Sequence, residues 1–235
     1  MNAVADLIRD NRPMPGARWM APREERQPAV VHAARLADLD TSHPTVALAV
    51  AAARRWAERM KADEERGPSL ILSGPNGTGK THIARAILWS MTTVAIDSDG
   101  SALSGSRRPR GRFYHAGELL AALGPDEELG GALPGVGHAV GSAPVVIIDD
   151  IGAEGTLAYV KGEYQEHERQ MRYFRIVDWA YGNGVPLVLT TNLSLQVLAA
   201  HVGPRAWDRL MQMAPAGQMV DMSGVPSWRV KAGGR

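Results

Sequence analysis

The sequence predicts an α/β fold, a parallel β-sheet with helices on both faces. Short, continuously apolar segments, "LILS", "RFYH", "PVVIID" and "PLVLTT", recur along the chain with stretches of helical length between them. Parallel strands buried on both faces read as unbroken apolar runs, and the return to a parallel neighbour is usually made by a helix. A glycine-rich turn carrying a lysine also lies between the first of these strands and the helix that follows it. The 235 residues, 45% of them hydrophobic, can build a large core, which excludes disorder as the state of the whole chain.

Each element has its own signal. Residues 1–40 carry Pro13, Pro15, Pro22 and Pro28 among many arginines, and read as an arm or docking segment ahead of a domain spanning 41–235. From Pro44, Val46, Val50, Ala53, Trp56 and Met60 recur at helical spacing up to the charged "KADEERG". Leu70 to Ser73 is the first strand, and "THIARAILWSM" continues from the glycine turn as a helix. "RFYH" at 112–115 followed by "AGELLAAL" reads as strand then helix, "PVVIID" from 144 as a buried strand, and Leu157 to Tyr181 as mainly helical with "GNG" closing it. "PLVLTTN" from 186 is a further buried strand, and a short helix is predicted around Trp207, Asp208 and Arg209. Residues 124–143 are too rich in glycine for regular structure, and 92–112 form a long link.

Composition narrows the function classes. With 26 basic and 25 acidic side chains the net charge is +1, so any contact with a polyanion is local rather than driven by a global field. The absence of cysteine excludes a disulfide framework and thiolate metal sites. No run approaches the roughly 20 apolar residues of a membrane span, and the N-terminal stretch lacks a signal-peptide core; a cytoplasmic protein with no membrane partner is expected.

The glycine turn carries the chemistry. Gly74, Gly79, Lys80 and Thr81 satisfy GxxxxGK[ST] at a strand-to-helix junction, with Pro75, Asn76, Gly77 and Thr78 inside the loop and His82 just beyond. Glycines let successive backbone N–H groups turn inward as an anion nest, the helix N-terminus adds its dipole, and Lys80 supplies an ammonium for the β and γ phosphates. Thr81 offers a hydroxyl to magnesium. The strand "VVIIDD" ends in two carboxylates: Asp149 is the expected magnesium partner and Asp150 is placed to polarise a water, with Glu154 as the nearby alternative. A carboxylate beside the strand-end aspartate favours hydrolysis over small-molecule phosphoryl transfer, and without an N-K-x-D segment adenine fits better than guanine. ATP and Mg²⁺ are therefore the expected cofactors.

"LSGPNGTGKTHIA", "VVIIDDIGAE", "LVLTTNLS" and "VGPRAWDRL", in this order, resemble the AAA+ ATPases of the DnaC-like helicase loaders and the related IstB-like transposition helper proteins. The resemblance covers roughly residues 41–235. It implies a five-stranded parallel P-loop core with a minimal C-terminal lid, assembly as a homo-oligomer on DNA, and delivery of a protein partner. It further implies that Thr191 and Asn192 form the strand-end pair that senses the γ phosphate, that Arg209 is the arginine finger given to a neighbouring subunit's ATP, and that Arg229 in "GVPSWR" is a sensor arginine. Position 150 is aspartate where most AAA+ ATPases carry glutamate, which implies slow turnover.

Two functions share these residues. One is an ATP-dependent loader that places a replicative helicase on DNA, single-stranded DNA being favoured; the other is an ATP-gated scaffold on duplex DNA that recruits a transposase. The arginines of "RRPRGR", Arg107, Arg108, Arg110 and Arg112, are candidates for phosphate contacts, or else a solvated tip.

Overall fold

In the computed structural model, residues 35–61, 68–92, 111–123, 145–154, 163–215 and 217–228 are described. Their elements are α1 (Pro44–Lys61), β1 (Leu70–Ser73), α2 (Lys80–Thr92), β2 (Gly111–His115), α3 (Ala116–Ala122), β3 (Val145–Ile151), α4 (Glu163–Asn183), β4 (Leu187–Thr191), α5 (Leu195–Val202), α6 (Pro204–Met213) and β5 (Met219–Asp221). The five strands form one sheet in the order β2-β3-β4-β1-β5, with every neighbouring pair parallel. The expected α/β class and the five-stranded sheet are both present.

Side-chain alternation along the strands divides the interior into two layers. Leu70 and Leu72 of β1, Phe113 of β2, Val145 and Ile147 of β3 and Val188 of β4 face α1 and α2. Ile71, Tyr114, Val146, Ile148, Leu187 and Leu189 face the other way, onto α3, α4, α5 and α6. The helical spacing read in α1 is the buried stripe: Val46, Val50, Ala53, Trp56 and Met60 are all buried. Trp56 is fully enclosed and donates its indole N–H to the Pro68 carbonyl; truncating such a side chain to alanine costs about 3–5 kcal/mol.

Residues 35–40, which the sequence assigns to the arm, pack on this layer. Leu36 is buried, Leu39 lies against the same cluster, and Arg54 of α1 donates to the Leu36 carbonyl. Two elements stand where the sequence reading places none. The edge strand β5 has three residues, none of them buried, so it lacks the apolar run that marks the other strands. The nearly continuous apolarity of α5, "LQVLAAHV", hides its helical period. The expected helix from Leu157 to Tyr181 is seen as α4, ending at Asn183, while 155–162 fall outside the described residues. Residues 1–34, the 93–110 part of the long link and 124–144 also fall outside them, as do Arg107, Arg108 and Arg110. Among the described residues no helix is long and apolar enough to cross a membrane.

Candidate nucleotide-binding site

Four structural features converge at the C-terminal end of β1. The loop after it bends through Gly77 and Gly79, with φ of 83° and 98°, values that cost glycine little and turn consecutive N–H groups to one side. Thr78 Oγ1 closes the turn by donating to the Pro75 carbonyl at 3.0 Å. Lys80, 7% exposed, folds back over the loop and donates from Nζ to the carbonyls of Gly74 and Pro75, both at 2.7 Å. Helix α2 begins at Lys80 and aims its N-terminus at the loop.

The carboxylates come from the neighbouring half of the sheet. Asp149, 2% exposed, accepts from Thr81 Oγ1 at 2.9 and 3.2 Å and from Thr190 Oγ1 at 2.6 Å, while His115 Nδ1 stands 3.5 Å from its second oxygen. Asp149 and Thr81 thus meet directly although 68 positions separate them. At Asp150 the strand departs from regular pairing: Ile148 pairs with Leu189 and Ile151 with Thr191, so β3 takes three steps where β4 takes two. This bulge puts Asp150 at φ 63°, the one positive value among the described non-glycine residues. A non-glycine residue held there costs of the order of 1–3 kcal/mol and turns its side chain away from the direction strand alternation would give it.

A cavity of about 530 Å³ joins these parts. Asn76, Gly77, Thr78, Gly79, Lys80, Thr81 and His82 line it together with Asp150. Its other walls are residues the sequence did not assign to the site: Asp38, Leu39, Asp40 and Val46 ahead of and within α1, Ile83 of α2, and Trp228. Trp228 reaches it because the chain after β5 straps the loop, with the Met222 N–H donating to Ser73 O at 2.7 Å and the Trp228 N–H to Gly77 O at 2.9 Å. Its place just before Arg229 was the available signal; Asp38 to Asp40 carried none, since a short acidic turn has no motif. Gly74 and Pro75 do not line the cavity; their carbonyls accept from Lys80.

The donor set suits the expected cofactors. Thr81 and Asp149 offer a hydroxyl and a carboxylate oxygen, the hard ligands that would hold magnesium there. When bound, magnesium neutralises charge on the β and γ phosphates.

The remaining candidates sit elsewhere. Asn192 follows β4 with its Oδ1 buried and without a hydrogen-bond partner among the described residues, and Thr191 Oγ1 donates instead to the Ile151 carbonyl at 2.7 Å. Glu154 is held in a buried cluster: Tyr173 Oη donates to it, His201 Nε2 lies at 3.0 Å, and the Gly152 N–H donates at 3.0 Å. Burial pushes the Glu154 carboxyl up, but the hydrogen bonds from His201 and the Gly152 N–H and the attraction of His201 outweigh it, leaving the group below the usual carboxylate range. Arg209, on α6, has Nε 3.3 Å from Asp178 Oδ1 and its guanidinium over the Tyr181 ring at 4.5 Å. Neither Glu154 nor Arg209 lines the cavity. Arg229 lies outside the described residues.

The pattern of the ATPase family associated with various cellular activities (AAA) matches residues 70–212, more than half of the chain and from β1 to near the end of α6. The chain belongs to the AAA family of ATPases. Among solved structures, this AAA chain is similar to the DnaC helicase loader, at 22% identity over 83% of this chain and 99% of that one with a TM-score of 0.57. It is also similar to DnaI, at 23% identity over 86% and 94% with a TM-score of 0.56. A third likeness is to a replication initiator, DnaA, bound to AMPPCP and single-stranded DNA, at 18% identity over 80% and 49% with a TM-score of 0.51. At these identities the likenesses establish the AAA fold. Curated proteins gave no match to the chain.

Proposed function

We propose that this AAA protein is a slow ATPase that assembles on DNA and loads a replicative helicase. The observation that carries the ATPase reading is the convergence of the P-loop and Asp150 on one cavity, with Thr81 of its wall in direct contact with Asp149. In this reading the loop N–H groups and Lys80 bind the phosphates of ATP, Thr81 and Asp149 hold magnesium, and Asp150 accepts a proton from the attacking water. Asn192 orients that water, and Arg229 acts as the sensor arginine for the nucleotide. Arg209 serves the neighbouring subunit, since it lies on a partly exposed helix face away from its own cavity. Aspartate at position 150, one methylene shorter than glutamate, sets a low rate.

The loader reading rests on the sequence around Arg209 and on likeness in fold to a helicase loader across nearly that protein's whole length. Single-stranded DNA is the favoured platform, supported by likeness to an initiator bound to it. The test is capture of purified replicative helicase and purified transposase by the immobilised protein, with ATP and with ADP, alongside affinities for single- and double-stranded DNA. Retention of the helicase and preference for single strands are expected. Retention of the transposase with preference for duplex would replace the loader with an ATP-gated scaffold.

A further inference from the structure

Thr190 was singled out by no motif, yet it touches both aspartates of the site. It is 1% exposed, on β4 beside the bulge. Its Oγ1 lies 2.6 Å from Asp149 Oδ1 and 2.9 Å from the backbone nitrogen of Asp150. The direction of each bond follows from chemistry. The Asp150 N–H can only donate, so it takes an Oγ1 lone pair; the single hydroxyl proton is left for the Asp149 carboxylate. Bulges leave a backbone group outside the ladder, and here that group is the Asp150 N–H, satisfied by a side chain from the adjacent strand.

We propose that Thr190 is a positioning residue that sets the two carboxylates relative to one another. Through its proton it fixes the orientation of Asp149 toward Thr81. Through its lone pair it holds Asp150 in the left-handed conformation in which that residue lines the cavity. One hydroxyl thereby couples the group assigned to the metal with the group assigned to water, and this role rests on the ATPase reading above. A buried strand threonine that merely satisfies its own hydroxyl would have one such partner; Thr190 has two, and both belong to the site.

Thr190→Val keeps the shape and removes the hydroxyl, and Thr190→Ser keeps the hydroxyl and removes the methyl. Affinity for a fluorescent ATP analogue is measured in EDTA and in magnesium, with turnover and thermal melting measured beside it. Thr190→Val is expected to bind the analogue in EDTA as the wild type does, to lose several-fold of the affinity that magnesium adds, and to lower kcat at least tenfold, with KM rising by no more than that several-fold loss of affinity. Thr190→Ser is expected to recover most of both losses. Should Thr190→Val not fold, Thr190→Cys, whose thiol donates weakly, carries the same expectation at smaller size. An unchanged magnesium increment and unchanged kcat would overturn the proposal, as would a loss that follows melting temperature and that serine does not recover. Wild-type protein that binds the analogue but never hydrolyses ATP would overturn the ATPase reading instead, and the magnesium increment would still decide the role of Thr190.

Discussion

Asp149 and Asp150 are neighbours in sequence with opposite surroundings. Asp149 is enclosed and receives hydroxyl protons from Thr81 and Thr190, whereas Asp150 is turned by its left-handed backbone toward the cavity. Asp150→Asn should therefore retain ATP affinity and lower turnover by roughly a hundredfold or more, the scale of a lost general base; single-turnover hydrolysis beside an ATP titration checks this. Glu154→Gln should behave differently, because Glu154 is tied to Tyr173, His201 and the Gly152 N–H rather than facing the cavity. Its carboxyl stands below its ordinary value in the folded protein, so its contribution to stability is present above the unfolded value and is lost as pH falls through the folded one. The melting temperature of Glu154→Gln should lie below that of the wild type near neutral pH, with the gap closing as pH drops through the carboxylate range, about 4 and below. A gap that stays constant with pH would assign the loss to packing. Lys80→Ala removes the ammonium that spans the loop carbonyls, and ATP affinity should fall about ten- to a hundredfold, in line with 1.5–3 kcal/mol for a charge-assisted hydrogen bond.

At the scale of elements, the P-loop is clamped between β1 and the strap that follows β5. Gly74, at φ 140°, shows how closely: a Cβ there would stand 2.8 Å from the Met222 backbone carbon, which cannot move without breaking the Met222 N–H bond to Ser73. Gly74→Ala should lower stability by about 1–3 kcal/mol and weaken nucleotide binding with it, as an overpacked site held at positive φ does; denaturant unfolding and an ATP titration measure both. That clamp was only half legible in the sequence. Gly74 stands in a motif because phosphate chemistry restricts the residues of the loop, and β1 and β3 declare themselves by apolar runs that burial on both faces requires. The strap carries no such mark: β5 is short and at the edge, and the strap meets the loop largely through backbone N–H groups, which leave no trace in residue type. Thr190 carries no sequence mark for a related reason, since a threonine in a strand is ordinary until the bulge beside it is known. The residues flanking the cavity at Asp38 to Asp40 lie in what reads as a proline-rich arm, where composition conceals the packing of Leu36.

On the scale of the whole molecule, the proposed ATPase reading has a second subunit supply Arg209 to complete the site. In the single chain that guanidinium rests on the Tyr181 ring and beside Asp178, with side chains 36% and 46% exposed for Arg209 and Asp178, so the pair is solvent-screened and contributes about 0–1 kcal/mol. A contact that weak is readily exchanged for a neighbour's phosphates. A guanidinium brought to the γ phosphate stabilises charge on the transferred group, an effect of about 10³-fold or more in turnover. The isolated subunit should then be nearly inert, and specific activity should rise with protein concentration. Mixing two disabled subunits tests the geometry directly. Arg209→Ala keeps an intact P-loop but has no finger to give; Lys80→Ala binds ATP poorly yet still presents Arg209. Neither should turn over ATP alone, while the mixture should recover part of the wild-type rate, because the intact P-loop of one receives the finger of the other. Turnover independent of concentration, with no recovery on mixing, would leave Arg209 as a surface partner of Asp178 and the ATPase as self-contained.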